Sequence, residues 1–211
     1  MIYILSDREF KGAINLPVIG IRYFELGIDI STYDALIFSS KNGVLALESS
    51  GVEWREIPAY SIGRGTSLVI KELSGNLVYE AKNSYGDNFA HEIKDSLEGK
   101  RVLFLRAKVV SSNLNTILKE SGVLLDEYII YETICNNCNK LKTPDDESVI
   151  IFSSPSTIEC FFKCFEWDSS YKAVVIGKVT ASHMPNGVDF FISESQNIPS
   201  CIKKANEILL R

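Results

Sequence analysis

Apolar residues in this chain come in short continuous runs, separated by stretches with helical spacing. The runs at 2–5, 16–21, 35–38, 58–62, 77–79, 102–105, 125–131, 149–152, 173–176 and 188–192 read as strands. Between them, residues 42–49, 66–73, 87–97, 112–121, 156–165, 179–184 and 198–210 read as amphipathic helices. Strands that are apolar at every position, rather than at every second one, fit parallel strands covered on both faces. Their alternation with helices predicts an α/β fold with right-handed crossovers.

An internal repeat organises this pattern. Phe38-Ser39-Ser40 recurs as Phe152-Ser153-Ser154, Ile62-Gly63 as Ile176-Gly177 and Thr66 as Thr180, each at an offset of 114 residues. The first copy is followed by a further strand–helix–strand unit at 99–131, whereas the second has none after it. The opening strand of the second copy must therefore come from residues 1–18. This predicts two similar domains, one inserted into the other: residues 1–18 with 134–211, and residues 22–131. Two chain crossings between domains form a hinge that permits opening and closing around a cleft.

Composition narrows the function. The formal net charge is −5, and no basic block or aromatic–basic interleaving is present, which argues against a nucleic-acid partner. No apolar run approaches the roughly 20 residues of a membrane span. The N-terminus starts on a strand without a basic flank and long apolar stretch, so the expected location is the cytoplasm. The five cysteines include Cys135-x-x-Cys138 and the helical pair Cys160 and Cys164. They read as free thiols in a reducing compartment, with a zinc-stapled interaction protein as the metal alternative. A second CxxC is missing, and His91 and His183 are distant.

The repeated motifs carry the candidate chemistry. Ser39-Ser40-Lys41-Asn42-Gly43 and Ser153-Ser154-Pro155-Ser156 each lie after a strand and before a helix, where parallel sheets bind ligands. Helix N-termini there offer unpaired N–H groups and partial positive charge to carboxylates or phosphates. Gly63-Arg64-Gly65-Thr66 and Gly177-Lys178-Val179-Thr180 follow the next strand of each copy. Singly, such residues serve as helix caps; duplicated on two domains, they suggest a cleft of neutral donors. A Gly-x-Ser-x-Gly elbow, a P-loop and a Gly-x-Gly-x-x-Gly turn are all absent from the sequence.

In this order the motifs resemble the uroporphyrinogen-III synthase family. Asp34-Ala35-Leu36-Ile37-Phe38-Ser39-Ser40-Lys41-Asn42-Gly43-Val44 resembles its run from an apolar strand into Thr/Ser-Ser and a helix. Ser61-Ile62-Gly63-Arg64-Gly65-Thr66 is similar to its Gly-x-x-Thr turn. Gly99-Lys100-Arg101-Val102-Leu103-Phe104-Leu105-Arg106, Ser121-Gly122-Val123 and Ile130-Tyr131-Glu132-Thr133 resemble its middle strand, helix end and hinge tyrosine. Ile151-Phe152-Ser153-Ser154-Pro155-Ser156 and Val175-Ile176-Gly177-Lys178-Val179-Thr180-Ala181 resemble its second serine and threonine motifs.

The resemblance implies two parallel-sheet α/β domains joined by a two-stranded hinge; a monomer is expected because nothing in the sequence suggests a dedicated interface. It implies cyclisation of hydroxymethylbilane, with inversion of the last pyrrole ring through azafulvene and spiro intermediates, and no metal, nucleotide or organic cofactor. It assigns substrate binding to Ser39, Ser40, Lys41, Gly63, Thr66, Ser84, Arg106, Ser153, Ser154, Pro155, Ser156, Gly177 and Thr180. Tyr131 is the catalytic candidate, its protonated phenol assisting departure of hydroxide; the alternative is a tyrosine packed at a domain junction.

The chain departs from the family where residues 6–15 leave too little room for a helix after the first strand. There Ser6-Asp7-Arg8 stands in place of Thr-Arg, and Lys41 stands where many members have proline. A rival reading is a non-catalytic two-domain module that binds a polyanion and closes on it.

Overall fold

The computed structural model describes residues 1–82, 85–110 and 112–210. In chain order the elements are β1 (Ile2–Leu5), β2 (Ile14–Asn15), β3 (Ile19–Tyr23), β4 (Ala35–Phe38), α1 (Lys41–Ser49), β5 (Ala59–Ser61) and α2 (Arg64–Glu72). They continue with β6 (Leu77–Glu80), α3 (Gly86–Leu97), β7 (Arg101–Ala107), α4 (Leu114–Glu120) and β8 (Leu124–Cys135). After a short 3-10 turn at Cys138–Lys140 come β9 (Val149–Phe152), α5 (Pro155–Cys164), β10 (Lys172–Val175), α6 (Lys178–Ala181), β11 (Phe190–Ile192) and α7 (Ile198–Leu209). The chain forms two compact units, Met1–Ile21 with Thr133–Arg211, and Arg22–Glu132. The boundaries fall inside β3 and β8.

The discontinuous unit is built on a sheet of order β11-β10-β9-β1-β2, in which every neighbouring pair is parallel. β1 and β9 are buried at all positions, and their alternate side chains feed two cores. Tyr3, Leu5, Ile150 and Phe152 pack with Ile158 and Phe161 of α5. Ile2, Ile4, Val149 and Ile151 pack with Cys201 and Ala205 of α7. Residues 6–13 form a loop whose Phe10 and Ala13 lean on the α7 side of the sheet, with the Arg8 guanidinium over Phe10.

The continuous unit has the sheet order β3-β8-β7-β4-β5-β6. β4 pairs in parallel with β5 and β7, β5 with β6, and β7 with β8. Ala35 and Ile37 face Phe89 and Ile93 of α3 and Leu114 and Leu118 of α4. Their alternates Leu36 and Phe38 are fully buried as well, and Phe38 meets the buried Trp54 edge-on.

Three expectations need correction. The run 16–21 is not one strand, because Pro17 has no N–H to continue a ladder; β2 ends before it and β3 begins after it. The expected helix over 179–184 is a single turn, α6. The cysteines are not all free thiols. Cys135 is bonded to Cys160 and Cys138 to Cys164, which leaves Cys201, on the buried face of α7, as the free one. The end of β8 and the following turn lie against α5, and that tertiary placement is invisible in the spacing.

Candidate substrate-binding sites at the strand ends

In a parallel sheet the carboxyl ends of the strands share one edge, where the turns are open to a ligand. In the Arg22–Glu132 unit this edge gathers the residues after β4 and β5, the end of β7, and Tyr131 on β8. Ser39, Ser40 and Lys41 are half-buried there. The Ser40 hydroxyl caps α1 by accepting from the Asn42 N–H at 3.3 Å. Gly43 follows in the first turn, where a Cβ would lie 3.0 Å from the Leu105 carbonyl oxygen and 3.8 Å from Tyr131 Cε1. The missing side chain therefore lets α1 settle against β7 and the phenol ring.

Tyr131 stands opposite Ala107 in the β7–β8 ladder, and its carbonyl accepts from the Lys108 N–H at 2.9 Å. Its side chain is 6% exposed. Burial pushes its phenol above the usual tyrosine range, the Ser40 hydroxyl pulls it partly back, and the nearby Tyr23 adds to the rise. The phenol thus keeps its proton and remains a donor.

Gly63 precedes α2 at φ 78 and ψ 141, a backbone region that an L side chain resists. Thr66 and the adjoining Ser67 are buried, and Ser67 Oγ lies 2.8 Å from Ser61 Oγ, so this turn is tied to the end of β5. Arg106 is engaged within its own unit. Nη1 donates to the carbonyls of Ala107 at 2.9 Å and Lys108 at 3.3 Å. Nε lies 2.8 Å from Glu127 Oε2 with its N–H aimed off the carboxylate, so this contact is an ion pair and not a hydrogen bond. Burial opposes ionisation of Glu127. Hydrogen bonds from Asn115 and Lys119 and the charges of Arg106 and Lys119 outweigh it and hold the carboxyl below its ordinary range.

In the discontinuous unit the corresponding edge follows β1, β9 and β10. The Ser153 hydroxyl donates to the Leu5 carbonyl at 3.3 Å, joining the ends of β9 and β1. Ser154 makes a reciprocal cap with Thr157, its Oγ accepting from the Thr157 N–H while its own N–H donates to Thr157 Oγ1. Pro155 fills the first helical position, where the missing N–H costs nothing, and Ser156 follows, half-buried. Gly177 is buried against Gln196, and Thr180 is buried on the single turn of α6.

The structure therefore brings Ser39, Ser40, Lys41, Gly63, Thr66, Arg106 and Tyr131 to one sheet edge. It brings Ser153, Ser154, Pro155, Ser156, Gly177 and Thr180 to another. Ser84 lies outside the described residues. Two contributors were not singled out from sequence. Gly43 gave a usable signal, since a glycine inside a helix costs about 1 kcal/mol against alanine and implies a packing reason. Asn15 gave none. With its amide nitrogen turned toward them, it donates to the carbonyls of Ile4, Ser6 and Arg8 at 3.2 Å and anchors the loop after β1. Among the described residues, no three His, Cys, Asp or Glu side chains are gathered for a metal ion. Among them, too, no helix is long and apolar enough to cross a membrane.

Residues 10–203 match the family model described as uroporphyrinogen-III synthase HemD, a span that takes in both copies of the motifs and Tyr131. The chain belongs to the uroporphyrinogen-III synthase family. A curated relative, the porphyrin biosynthesis protein HemD of Ruminiclostridium josui, is 28% identical over 196 residues, covering 85% of this chain and 39% of the relative. The chain thus spans about two-fifths of the length of that protein. The crystal structure of uroporphyrinogen-III synthetase from Helicobacter pylori 26695 superposes with a TM-score of 0.84 at 28% identity, covering 98% of both chains. A mutant uroporphyrinogen III synthase from Thermus thermophilus superposes at 0.59 with 12% identity, over 99% of this chain and 98% of that one, a likeness of fold. Family membership and the mixed α/β fold with parallel sheets are thus shared with solved uroporphyrinogen-III synthases.

Proposed function

We propose that this chain is a uroporphyrinogen-III synthase, closing hydroxymethylbilane with inversion of its terminal pyrrole ring. The observation that carries the reading is the family match over residues 10–203, which includes both strand-end motifs. The two compact units are read as the two domains, the second inserted into the first, with β3 and β8 as the hinge strands.

The substrate carries many carboxylates, and the proposed sites answer them with serine hydroxyls and helix N-terminal amides at α1 and α5. Ser39, Ser40 and Lys41 supply these groups in one unit, and Ser153, Ser154, Pro155 and Ser156 in the other. The turn Gly63–Thr66 flanks the first set and the turn Gly177–Thr180 the second. Arg106 and Ser84 are proposed as further substrate contacts.

Tyr131 is the proposed proton donor. Its phenol gives a proton to the departing hydroxyl, which leaves as water, and the azafulvene so formed is attacked by the far pyrrole to give the spiro intermediate. Burial keeps that phenol protonated across the neutral range. Fragmentation and recombination invert the ring before closure, so holding the flexible tetrapyrrole in one conformer is much of the catalysis. The reaction is a loss of water and a rearrangement of carbon–carbon bonds, and it requires neither redox nor metal chemistry. A monomer in the cytoplasm, with no nucleic-acid partner, completes the reading.

The test is direct. Hydroxymethylbilane is generated in situ, the purified chain is added, and the oxidised products are resolved into type I and type III isomers. Type III product in excess is the expected outcome. Type I product alone, at the rate seen without protein, would leave a two-unit binder of some other polyanion.

A further inference from the structure

The four bridged cysteines take no part in the proposed reaction, yet they join two segments that border it. Cys135 ends β8, four residues after Tyr131, and Cys138 opens the turn Cys138–Lys140. Cys160 and Cys164 lie one helical turn apart on α5, the helix whose first turn carries Ser154, Pro155 and Ser156. The bridges therefore run side by side and fasten the chain just past β8 onto α5.

The two bridges differ in environment. Cys138 and Cys164 are both partly exposed, whereas the inner bridge joins a partly exposed Cys135 to Cys160, buried at 2% exposure within the Phe152–Phe161 core. The Lys163 ammonium lies 3.8 Å from Cys135 Sγ, where it can stabilise that sulfur as a departing thiolate. Disulfides are uncommon in a reducing compartment unless they turn over, and an exposed bridge beside a shielded one is a graded arrangement.

We propose that the paired bridges Cys135–Cys160 and Cys138–Cys164 are a two-step redox clamp that holds residues 135–140 on α5 and is opened by a dithiol reductant. In the first step a reductant thiolate attacks one sulfur of the outer bridge, forming a mixed disulfide and expelling the partner sulfur. The reductant's second thiol then displaces the protein sulfur and leaves as a cyclic disulfide. Two electrons and two protons pass to Cys138 and Cys164. At the inner bridge the reductant can reach only Cys135, since Cys160 is buried, so this exchange follows the first: the Cys160 sulfur is expelled, and Cys135 then leaves next to Lys163 as the cyclic disulfide forms. α5 stays seated through its aromatic core, and the freed element is the segment 135–140 after β8. The consequence for turnover, a fall when the clamp opens, rests on the function proposed above.

The experiment equilibrates the full chain with reduced and oxidised dithiothreitol over a range of ratios. It reads thiols by maleimide mass tagging after denaturation, amide exchange at 135–140, and type III product. The expected count rises from one thiol to three and then five, since one cysteine is free and two pairs are bridged. Exchange at 135–140 is expected to quicken at least tenfold, and product formation to fall severalfold. A Cys138→Ser/Cys164→Ser variant should show a single remaining step, and Cys201→Ser should keep both.

Five thiols in air-equilibrated protein overturn the proposal, as does one zinc per chain held by the four thiols. Exchange at 135–140 that ignores reduction overturns it as well. If exchange responds but product formation does not change, the link to the site is refuted. If exchange responds and neither form makes type III product, the clamp stands and the proposed function fails.

Discussion

The two copies of the strand-end motif share residues but differ in how firmly they are built. In the continuous unit, Ser40 caps α1 through one contact at 3.3 Å, and Gly63 opens the nine-residue α2 with φ at 78. In the discontinuous unit, Ser154 caps α5 reciprocally with Thr157, Gly177 is fully extended, and α6 is only four residues long. Two bridges tie α5 to the chain after β8, whereas the Arg22–Glu132 unit has no cysteine at all. One sequence repeat has thus become a braced helix start in one unit and a looser, tyrosine-bearing edge in the other. The duplicated serines sit in different surroundings, Ser154 in a doubly bonded cap of a bridged helix and Ser40 beside the Tyr131 phenol.

The strongest way to break this contrast is Tyr131→Phe, because the proposed proton donor lies on the edge of the continuous unit. Loss of a general acid costs typically 10²–10⁴ in rate, so kcat for type III formation should fall by at least about 100-fold, with KM little moved. A fall of under threefold would remove Tyr131 from the chemistry. The pH profile sharpens the test. A phenol raised by burial stays protonated further into alkali, so its limb of the kcat profile should lie above the ordinary tyrosine value of about 10.

Breaking the inner bridge comes next. Cys135 and Cys160 are 25 residues apart, a loop whose closure contributes about 3 kcal/mol on chain-entropy grounds. A Cys135→Ser/Cys160→Ser variant should therefore melt roughly 6–12 °C lower for a chain of this size. Faster exchange should stay within Met1–Ile21 and Thr133–Arg211. Equal loosening of both units would show that the bracing is not local.

How much of this was legible beforehand depended on range. Ile2–Leu5, Ala35–Phe38 and Val149–Phe152 announced buried parallel strands because every side chain in them is apolar and every one is buried. The motif positions at the strand ends followed from those strands, since a repeat at fixed offset carries its turns with it. Interactions that depend on tertiary placement were not legible. The Cys135–Cys160 pairing needs the end of β8 beside α5, and the engagement of Arg106 needs Glu127 on the adjoining strand. Pro17 was in plain view, yet the apolar residues around it outweighed its missing N–H in the reading of 16–21.

The paired glycines allow a like-for-like substitution. Gly63→Ala places a side chain at φ 78 and ψ 141, a strain of order 1–3 kcal/mol. Gly177→Ala keeps an extended backbone and meets a single side chain, Gln196, with Nε2 at 2.9 Å and Cγ at 3.2 Å, which must shift by a few tenths of an ångström. Chemical denaturation should show the first variant clearly weakened and the second changed by less than about 1 kcal/mol. The opposite order would mean that Gln196 is held as rigidly as backbone.

The smallest expected effect separates the two serine caps most finely. Ser154→Ala removes the hydroxyl half of the reciprocal cap, keeps the backbone donation to Thr157 Oγ1, and should cost about 1 kcal/mol of stability, within the usual range for a lost N-cap. Ser40→Ala likewise removes one capping contact at 3.3 Å, so its effect on stability should be similar. The Ser40 hydroxyl also bears on the Tyr131 phenol and lowers its proton affinity. Without it the phenol binds its proton more tightly and becomes a weaker acid. Ser40→Ala should therefore lower kcat more than it lowers stability, and move the Tyr131 limb of the pH profile to higher pH. Ser154→Ala should lower stability while leaving that limb in place. Matching pH profiles for the two variants would mean that the α1 and α5 serines do the same work after all.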